Sequence, residues 1–231
     1  MTINTSIHQN ILFQILKDIY TDTTIAPFLG FKDGTAAFIF YELDRFSVDL
    51  DFDLLDETKA DHVFERIGNI IKQYGVVRET AQKRFSLILV LSYEEKTHNI
   101  KVEINRRSFG SRYEIKTFLG VSMLVMVRED MFAHKLMAMY ERIGKTNRDI
   151  YDVWFFLHKN WPINKIIVEQ RAKISFKQLL EKCFTALEKM TDRRILQGIG
   201  ELLSDNRKNW VKSNLRTDTI FLLKVMHNNE K

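Results

Sequence analysis

Two aspartates separated by one residue, Asp49 and Asp51, are the side chains of this 231-residue chain that most clearly suggest chemistry. They lie in a segment, residues 47–53, whose pattern predicts a β-strand, and alternate residues of a strand point to the same face. Two carboxylates on one face repel each other unless a cation lies between them. Mg²⁺ accepts one or two such ligands together with water and phosphate oxygens. The pair therefore indicates a metal site, with a solvated acidic sheet face as the alternative.

A helix predicted over residues 34–41 begins with the turn Gly34-Thr35, shortly before that strand. The first main-chain N–H groups of a helix have no partner within the helix, and with the helix dipole they attract phosphate. The turn and the acidic pair together predict a site for a metal ion and a triphosphate. A calcium-binding loop is excluded, because the position that needs glycine holds Leu54 and the last ligand position holds Ala60.

A third candidate carboxylate, Glu103, lies on a strand predicted over residues 99–106. Apolar residues alternate along this strand, which puts Glu103 on the polar face, where it could meet Asp49 and Asp51 from a neighbouring strand. Three carboxylates can hold two cations about 4 Å apart, an arrangement that stabilises phosphoryl-type transfer. The alternative is a strand residue that faces solvent.

Lys135 lies at the edge of an apolar stripe on a helix predicted over residues 129–142. It could extend along the surface, or it could point into a cleft and offset the charge of a triphosphate. Asp149 and Asp152 share one face of the next helix, predicted over residues 147–159. They could be acids favoured by the helix N-terminus, or Asp152 could position Lys135 or a nucleotide.

The predicted elements change character along the chain, from mixed strands and helices to helices alone. Helices are predicted over residues 7–20, 34–41, 57–74, 129–142, 147–159, 175–190, 192–204 and 210–227, and strands over 25–31, 47–53, 75–80, 85–93 and 99–106, with one or two more within 113–127. This order predicts an α+β fold, in which a mixed β-sheet flanked by helices is followed by a helical C-terminal domain. We expect the boundary between residues 127 and 128.

The net charge of +5 is unevenly distributed. Residues 161–231 contain 14 Lys and Arg against 8 Asp and Glu, a balance of +6, whereas residues 1–160 contain 21 against 22, a balance of −1. This indicates either a polyanionic partner such as RNA or a solvated helical surface. The single cysteine, Cys183, excludes a disulfide framework and is expected in the core. No targeting or membrane-spanning segment is recognisable, so a cytoplasmic protein is expected.

Over about residues 25–160, the order of these motifs resembles the AbiEii/AbiGii-type nucleotidyltransferase toxins of the DNA polymerase beta-like nucleotidyltransferase superfamily. The motifs are the Gly-Thr turn, Arg-Phe-Ser-x-Asp-x-Asp-Phe, Ile-Lys-Val-Glu-Ile, Ala-x-Lys-Leu and Arg-Asp-x-Tyr-Asp. The resemblance implies that residues 1–127 form the catalytic domain and that residues 128–231 complete the active-site cleft. In one position the chain differs from the family, because Asp33 stands where a second glycine is usual. A carboxylate there disfavours a triphosphate unless it points away.

The resemblance also implies a role for each site residue. The implied metal ligands for Mg²⁺ or Mn²⁺ are Asp49, Asp51 and Glu103; the implied nucleotide-binding residues are Gly34, Thr35, Ser47 and Lys135; and the implied catalytic residues are Asp49, Asp51, Glu103, Lys135 and Asp152.

The function that follows is transfer of a nucleoside monophosphate from an NTP to an RNA acceptor, such as tRNA, by the toxin of a toxin–antitoxin or abortive-infection system. A cognate antitoxin is an expected partner. Two alternatives remain open from the sequence. One is nucleotidylation of a small molecule, as in aminoglycoside-modifying relatives, and the other is a non-catalytic nucleotide-binding protein.

Overall fold

The computed structural model describes residues 5–93 and 99–230. The chain divides into two compact units, Met1–Val127 and Arg128–Lys231, which we call the N-terminal and C-terminal units. The first is built around a mixed β-sheet and the second from helices, so the predicted α+β fold class is confirmed. In the described residues, no helix is long and apolar enough to cross a lipid bilayer.

The N-terminal unit contains a seven-stranded sheet with the strand order β3-β4-β5-β2-β1-β7-β6. Its strands are β1 (Leu29–Lys32), β2 (Leu50–Leu54), β3 (Val76–Gln82), β4 (Ser86–Ser92), β5 (Asn99–Asn105), β6 (Tyr113–Phe118) and β7 (Val121–Met126). Strand β2 pairs in parallel with β5, and β1 pairs in parallel with β7, whereas the other neighbours are antiparallel. Strands β2 and β5, on which the candidate acids were predicted, are therefore direct neighbours.

Three helices accompany this sheet: α1 (Thr5–Thr21), α2 (Asp33–Phe40) and α3 (Ala60–Ile71). The apolar stripe of α1 is buried, as its spacing predicts, and Phe31 and Phe52 of the central strands pack with ring centroids 5.4 Å apart. Alternation in β5 buries Ile100, Val102 and Ile104 completely, which leaves the intervening polar residues on the other face. The hydrophobic pattern thus fixes which face of the sheet carries the acids.

The C-terminal unit consists of five helices: α4 (Arg128–Arg142), α5 (Arg148–His158), α6 (Lys165–Ala172), α7 (Phe176–Glu188) and α8 (Asp205–Asn229). Large aromatic side chains form much of its core, for example Phe156 stacked on Trp161 with centroids 4.1 Å apart. Helix α7 begins with a capping box formed by Ser175 and Gln178. Cys183 lies in this core as predicted, and burial raises the pKa of its thiol to about 12.

In the C-terminal unit, one helix prediction is wrong and one helix was missed. Residues 192–204 form two short 3₁₀ turns, Asp192–Arg194 and Gly200–Leu202, instead of one helix. Gly198 between them adopts φ +75°, a left-handed conformation that interrupts a helix. Helix α6 was not predicted. It begins where the side chain of Asn164 accepts a hydrogen bond from the N–H of Ile167, a local cap that outweighs the helix's weak apolar periodicity.

The acidic strand is also shorter than predicted, because β2 begins at Leu50 and not at residue 47. Asp49 therefore lies immediately before the strand, while Asp51 lies within it. The segment before β2 makes side-chain contacts with the first turn of α2, which are described below, and it lies outside the hydrogen-bonded β-sheet.

Candidate active site

The three predicted carboxylates lie on neighbouring parts of the sheet. Asp51 of β2 is directly opposite Glu103 of β5 in the parallel ladder, so their side chains leave the same face. Asp49 is joined to β5 as well, since its Oδ1 accepts a hydrogen bond of 3.3 Å from the main-chain N–H of Lys101. The sequence thus brings Asp49, Asp51 and Glu103 together through the pairing of β2 with β5.

Lys101 supplies a positive charge within this acidic group. Its Nζ lies 2.7 Å from Oε2 of Glu103. Burial lowers the pKa of Lys101, but the carboxylates of Asp51, Glu103 and Asp49 have the larger combined effect, so that the pKa is raised overall. The ammonium group therefore remains charged and neutralises part of the acidic face.

Asp51 is the residue on which the negative charges converge. Burial of its carboxyl group, together with the charges of Asp33, Asp49 and Glu103, raises the pKa of Asp51 from 3.8 to about 7, although Lys101 acts in the opposite direction. Three acids near a fourth form an arrangement that a protein stabilises poorly without a cation. The acidic cluster, defined here as Asp33, Asp49, Asp51 and Glu103, is thus short of positive charge.

The donor set of this cluster fits a divalent cation. All four side chains offer carboxylate oxygens, the hard ligands that Mg²⁺ and Mn²⁺ prefer. In the described residues, no three His, Cys, Asp or Glu side chains converge closely enough to hold a metal ion as they stand. In this arrangement one oxygen of Glu103 accepts a hydrogen bond from the ammonium group of Lys101.

The turn before the acidic strand contains a carboxylate of the chain itself, the side chain of Asp33. Asp33, the first residue of α2, adopts a left-handed conformation with φ +66°. Its Oδ1 accepts a hydrogen bond of 2.6 Å from the main-chain N–H of Gly34. One of the N–H groups that the sequence predicted for phosphate is therefore bound to a carboxylate of the chain itself.

The remaining contacts of the turn explain its glycine and its threonine. A Cβ atom on Gly34 would lie 2.8 Å from a guanidinium nitrogen of the buried Arg45 and 2.9 Å from Oγ of Ser47. The hydroxyl of Thr35 is buried, donates to the main-chain carbonyl of Asp49 and hydrogen-bonds with Oγ of Ser47 over 2.9 Å. The Thr35 and Ser47 hydroxyls thus join the turn to the acidic strand, and main-chain N–H groups are the part of the turn suited to phosphate.

A further acid of the strand, Asp53, is fully paired. It accepts from Lys32 Nζ over 2.5 Å, from the Asn105 side chain over 2.6 Å and from the Tyr113 hydroxyl over 2.6 Å. The Tyr113 ring occupies the space beside Gly30, where an added Cβ atom would be only 2.2 Å from the ring. Asp53 therefore ties β1, β2, β5 and β6 together, unlike the charge-deficient acidic cluster.

In the C-terminal unit, Lys135 is buried together with two acids of α5. Its Nζ lies 3.0 Å from Asp152 and 3.5 Å from Asp149, and the side chains are 3%, 0% and 1% exposed. Arg142 also pairs with Asp149, at 2.9 Å. Burial excludes the alternative of a lysine that extends along the surface. Asp152 holds Lys135, as one of the two sequence interpretations supposed.

Two members of the site were missed in the sequence. Alternation along β5 puts Lys101 on the same face as Glu103, but the pattern does not show that its ammonium group would pair with one of the acids. Asp33 was noted only as an unusual residue in the turn. An Asp next to Gly at a helix start is a signal for a left-handed, self-capping residue, and that signal could have identified its hydrogen bond.

Comparison with known proteins identifies the family of this chain. The family model described as the nucleotidyl transferase AbiEii toxin of a type IV toxin–antitoxin system matches residues 14–210. The chain belongs to the AbiEii family. The resemblance seen in the motifs is thereby confirmed, and the protein is a nucleotidyltransferase. Membership implies an NTP substrate and an antitoxin partner.

Two crystal structures from Helicobacter pylori share the fold. One is a provisionally assigned nucleotidyltransferase, with 17% sequence identity, a TM-score of 0.62, and coverage of 99% of this chain and 96% of the other. The second, JHP933, has 18% identity and a TM-score of 0.62, with coverage of 99% and 94%. At these identities the likeness concerns the fold alone. No curated protein matches the chain.

Proposed function

We propose that this AbiEii-family protein is a magnesium-dependent toxin that transfers a nucleoside monophosphate from an NTP to an RNA hydroxyl, with tRNA as the acceptor. The observation that carries this proposal is the acidic cluster, in which Asp51 lies opposite Glu103 with Asp49 beside them. Such a concentration of carboxylates beside a helix start suits a cation and a triphosphate better than it suits folding alone.

Asp49, Asp51 and Glu103 are the residues proposed to hold the metal ions. When bound, Mg²⁺ supplies charge stabilisation for the transferred phosphoryl group and its leaving group. In the same proposal, main-chain N–H groups at the start of α2 hold the triphosphate, while Thr35 and Ser47 fix that turn against the acidic strand. Lys135, positioned by Asp152, offsets the charge on the departing pyrophosphate.

The proposed reaction is a displacement at the α-phosphorus. The acceptor hydroxyl oxygen forms a bond to that phosphorus, the bond from it to the β-phosphate oxygen breaks, and pyrophosphate leaves with the electron pair. Glu103 is proposed to accept the proton of the hydroxyl, because it lies on the same face of the sheet as Asp51.

Charge supports RNA as the acceptor. The C-terminal unit contains a cavity of about 410 Å³ whose lining includes Lys145, Arg193 and Arg194 and no Asp or Glu. A cavity with these side chains suits a phosphate group, and Arg193 and Arg194 belong to the segment with the excess of positive charge, residues 161–231.

The direct test is incubation of the purified protein with Mg²⁺, each labelled NTP and total RNA. Label is expected in a discrete RNA band, together with released pyrophosphate, and EDTA should prevent both. Labelling of a small molecule in a cell extract, with RNA unlabelled under all four NTPs, would instead favour the small-molecule alternative.

Asp33→Gly is expected to tighten NTP binding by about tenfold. The variant removes one negative charge near the triphosphate, worth about 1–1.5 kcal/mol at short range, and it frees the Gly34 N–H. Glycine adopts φ +66° without strain, so the backbone should be unchanged. Affinity for each NTP should be measured by calorimetry with Mg²⁺ present.

Asp33→Asn is the matched control, because asparagine keeps an acceptor and tolerates the left-handed conformation but has no charge. It should fall between wild type and Asp33→Gly. If Asp33→Gly binds NTP more weakly than wild type, Asp33 assists the nucleotide site and our interpretation of its hydrogen bond is wrong.

A further inference from the structure

An exposed cluster of arginine and phenylalanine side chains lies at one end of the sheet in the N-terminal unit. It comprises Lys83, Arg84 and Phe85 of the β3–β4 turn, and Arg107 and Phe109 of the loop after β5; we call it the Phe85 surface. The turn and the loop are joined by a main-chain hydrogen bond of 3.0 Å, in which Arg106 donates to the carbonyl of Phe85.

The planar groups of the Phe85 surface are layered on one another. The guanidinium carbon of Arg84 lies 5.0 Å from the ring centroid of Phe85, and that of Arg107 lies 5.7 Å from the centroids of both Phe85 and Phe109. Arg107 is fixed further by donation of Nε to the Asn105 side chain over 3.2 Å. Phe85 nevertheless remains 50% exposed, a large apolar area to leave in contact with water.

The charge of this surface is entirely positive. Residues 82–86 contain two Lys and Arg, residues 105–112 contain three, and neither segment contains Asp or Glu. Arg106 is paired with Glu57, which leaves it a structural role. Among residues 5–93 and 99–230, no carboxylate forms an ion pair with Lys83, Arg84 or Arg107. Two guanidinium groups thus lie over an exposed aromatic ring, Lys83 precedes Arg84 in the β3–β4 turn, and no carboxylate of the described residues forms an ion pair with any of these three cations.

Exposed aromatic and guanidinium planes surrounded by cations are the features that bind unpaired nucleic acid. Bases stack on aromatic rings and on arginine planes, while the phosphates are attracted by the surrounding charge. A duplex keeps its bases stacked on each other and cannot use such planes in the same way. An apolar protein partner would not require three uncompensated cations.

We propose that the Phe85 surface binds an unpaired segment of the acceptor RNA, with a base stacked on Phe85 and its phosphates near Lys83, Arg84 and Arg107. This inference rests on the proposed function, since it identifies where the RNA substrate of the same site binds.

The surface is anchored to the acidic strands. Asn105 donates to the carbonyl of Arg107 over 2.7 Å and to Asp53 of β2 over 2.6 Å. Arg107 follows Glu103 by four residues, a distance of at most about 13 Å along an extended chain. RNA bound here would therefore be held close to the proposed catalytic carboxylates.

The test uses the full-length protein and a fluorescein-labelled single-stranded RNA of about twelve nucleotides, with affinity measured by anisotropy. Phe85→Ala is expected to weaken binding about tenfold, and Phe85→Trp should retain it because the indole ring still stacks. Arg107→Ala should weaken binding and reduce the slope of log K against log salt by about 0.7, the contribution of one phosphate on a single strand.

Two matched controls should bind RNA as wild type does. Ile115→Ala removes an exposed apolar side chain of β6, and Arg78→Ala removes an exposed cation of β3. Melting curves of all variants will verify folding, and the exposure of Phe85 makes a large loss of stability unexpected.

The inference is overturned if Phe85→Ala and Arg107→Ala bind the RNA as tightly as wild type. It is equally overturned if Arg193→Glu/Arg194→Glu abolishes binding while Phe85→Ala and Arg107→Ala leave the affinity unchanged, since the RNA would then contact only the C-terminal unit. A labelled duplex of the same sequence that binds as tightly as the single strand would also contradict it.

Failure of the proposed function is recognised separately. If Phe85→Ala and Arg107→Ala transfer nucleotide to RNA normally and bind RNA with unchanged affinity, the proposed binding surface is contradicted and the proposed function still stands. Absence of transfer to any RNA, with single-strand affinity that still depends on Phe85, contradicts the function but supports the binding surface.

Discussion

Asp51→Asn is expected to abolish nucleotidyl transfer, with a loss of about 10³-fold or more in turnover. Asp51 is central to the acidic cluster, with Glu103 directly opposite and Asp49 beside it. A lost metal ligand removes several kcal/mol of charge stabilisation from the transition state, and each 1.36 kcal/mol corresponds to a factor of ten. Single-turnover transfer with labelled NTP and saturating Mg²⁺ measures this effect.

The same substitution should not destabilise the metal-free protein. The pKa of Asp51 in the folded state, about 7, lies above its ordinary value of 3.8, so folding favours the protonated carboxyl group. Ionisation of Asp51 therefore lowers the stability of the folded state. This loss of stability is absent below about pH 4 and increases as the pH rises to about 7. Asp51→Asn removes this penalty, and its melting temperature in EDTA should exceed that of wild type at pH 8 and equal it at pH 4.

Metal binding provides a readout that is independent of turnover. Mg²⁺ or Mn²⁺ should raise the melting temperature of wild type and have little effect on Asp51→Asn, because a ligand that binds only the folded state stabilises it. Glu65→Gln, which alters an exposed carboxylate of α3, should behave as wild type in both assays. Near-normal turnover of Asp51→Asn, or an equal thermal response to Mg²⁺, would contradict the metal assignment.

The acidic cluster illustrates which features a single sequence can predict. Alternation along one strand is local, so the face that carries Glu103 was predictable from residues 99–106 and is confirmed by the burial of their apolar neighbours. We expected that Glu103 could meet Asp49 and Asp51 from a neighbouring strand, and the observed pairing of β2 with β5 agrees with this. The start of β2 was not predictable, because the side-chain contacts of Thr35 and Ser47 determine it.

The features that were missed depend on contacts between distant segments. The hydrogen bond from Gly34 to Asp33 is local, but the effect of Asp33 on the pKa of Asp51 arises from tertiary structure. The Phe85 surface joins a turn and a loop about 22 residues apart, and neither segment alone indicates a layered cluster. The charge excess of residues 161–231 lies in the C-terminal helices, whereas the exposed aromatic ring of Phe85 lies in the N-terminal unit.

Lys135→Met is expected to lower the free energy of unfolding by about 3–5 kcal/mol. The substitution keeps the volume of the aliphatic chain but leaves Asp152, which is fully buried, without the ammonium group 3.0 Å away. Removal of one partner of a buried ion pair costs about this much. Urea denaturation of wild type and variant measures the loss.

A second variant separates stability from catalysis. Lys135→Met/Asp152→Asn removes both charges of the pair, while Asp149 keeps its contact with Arg142, so most of the lost stability should return. If Lys135 offsets the charge on departing pyrophosphate, the double variant should remain inactive despite its recovered stability. Lys182→Met, an exposed lysine of α7, is the matched control and should affect neither property.

The two measurements together distinguish the possible roles of Lys135. Normal single-turnover transfer by the double variant would make Lys135 and Asp152 a structural pair that has no part in the chemistry. A loss of less than about 1 kcal/mol in Lys135→Met would contradict the buried pair itself, because a lysine that reaches solvent contributes little when its partner is also hydrated. Stability that returns without activity is the result we expect, because the double variant removes both charges of the buried pair but does not restore the positive charge that we propose acts on pyrophosphate.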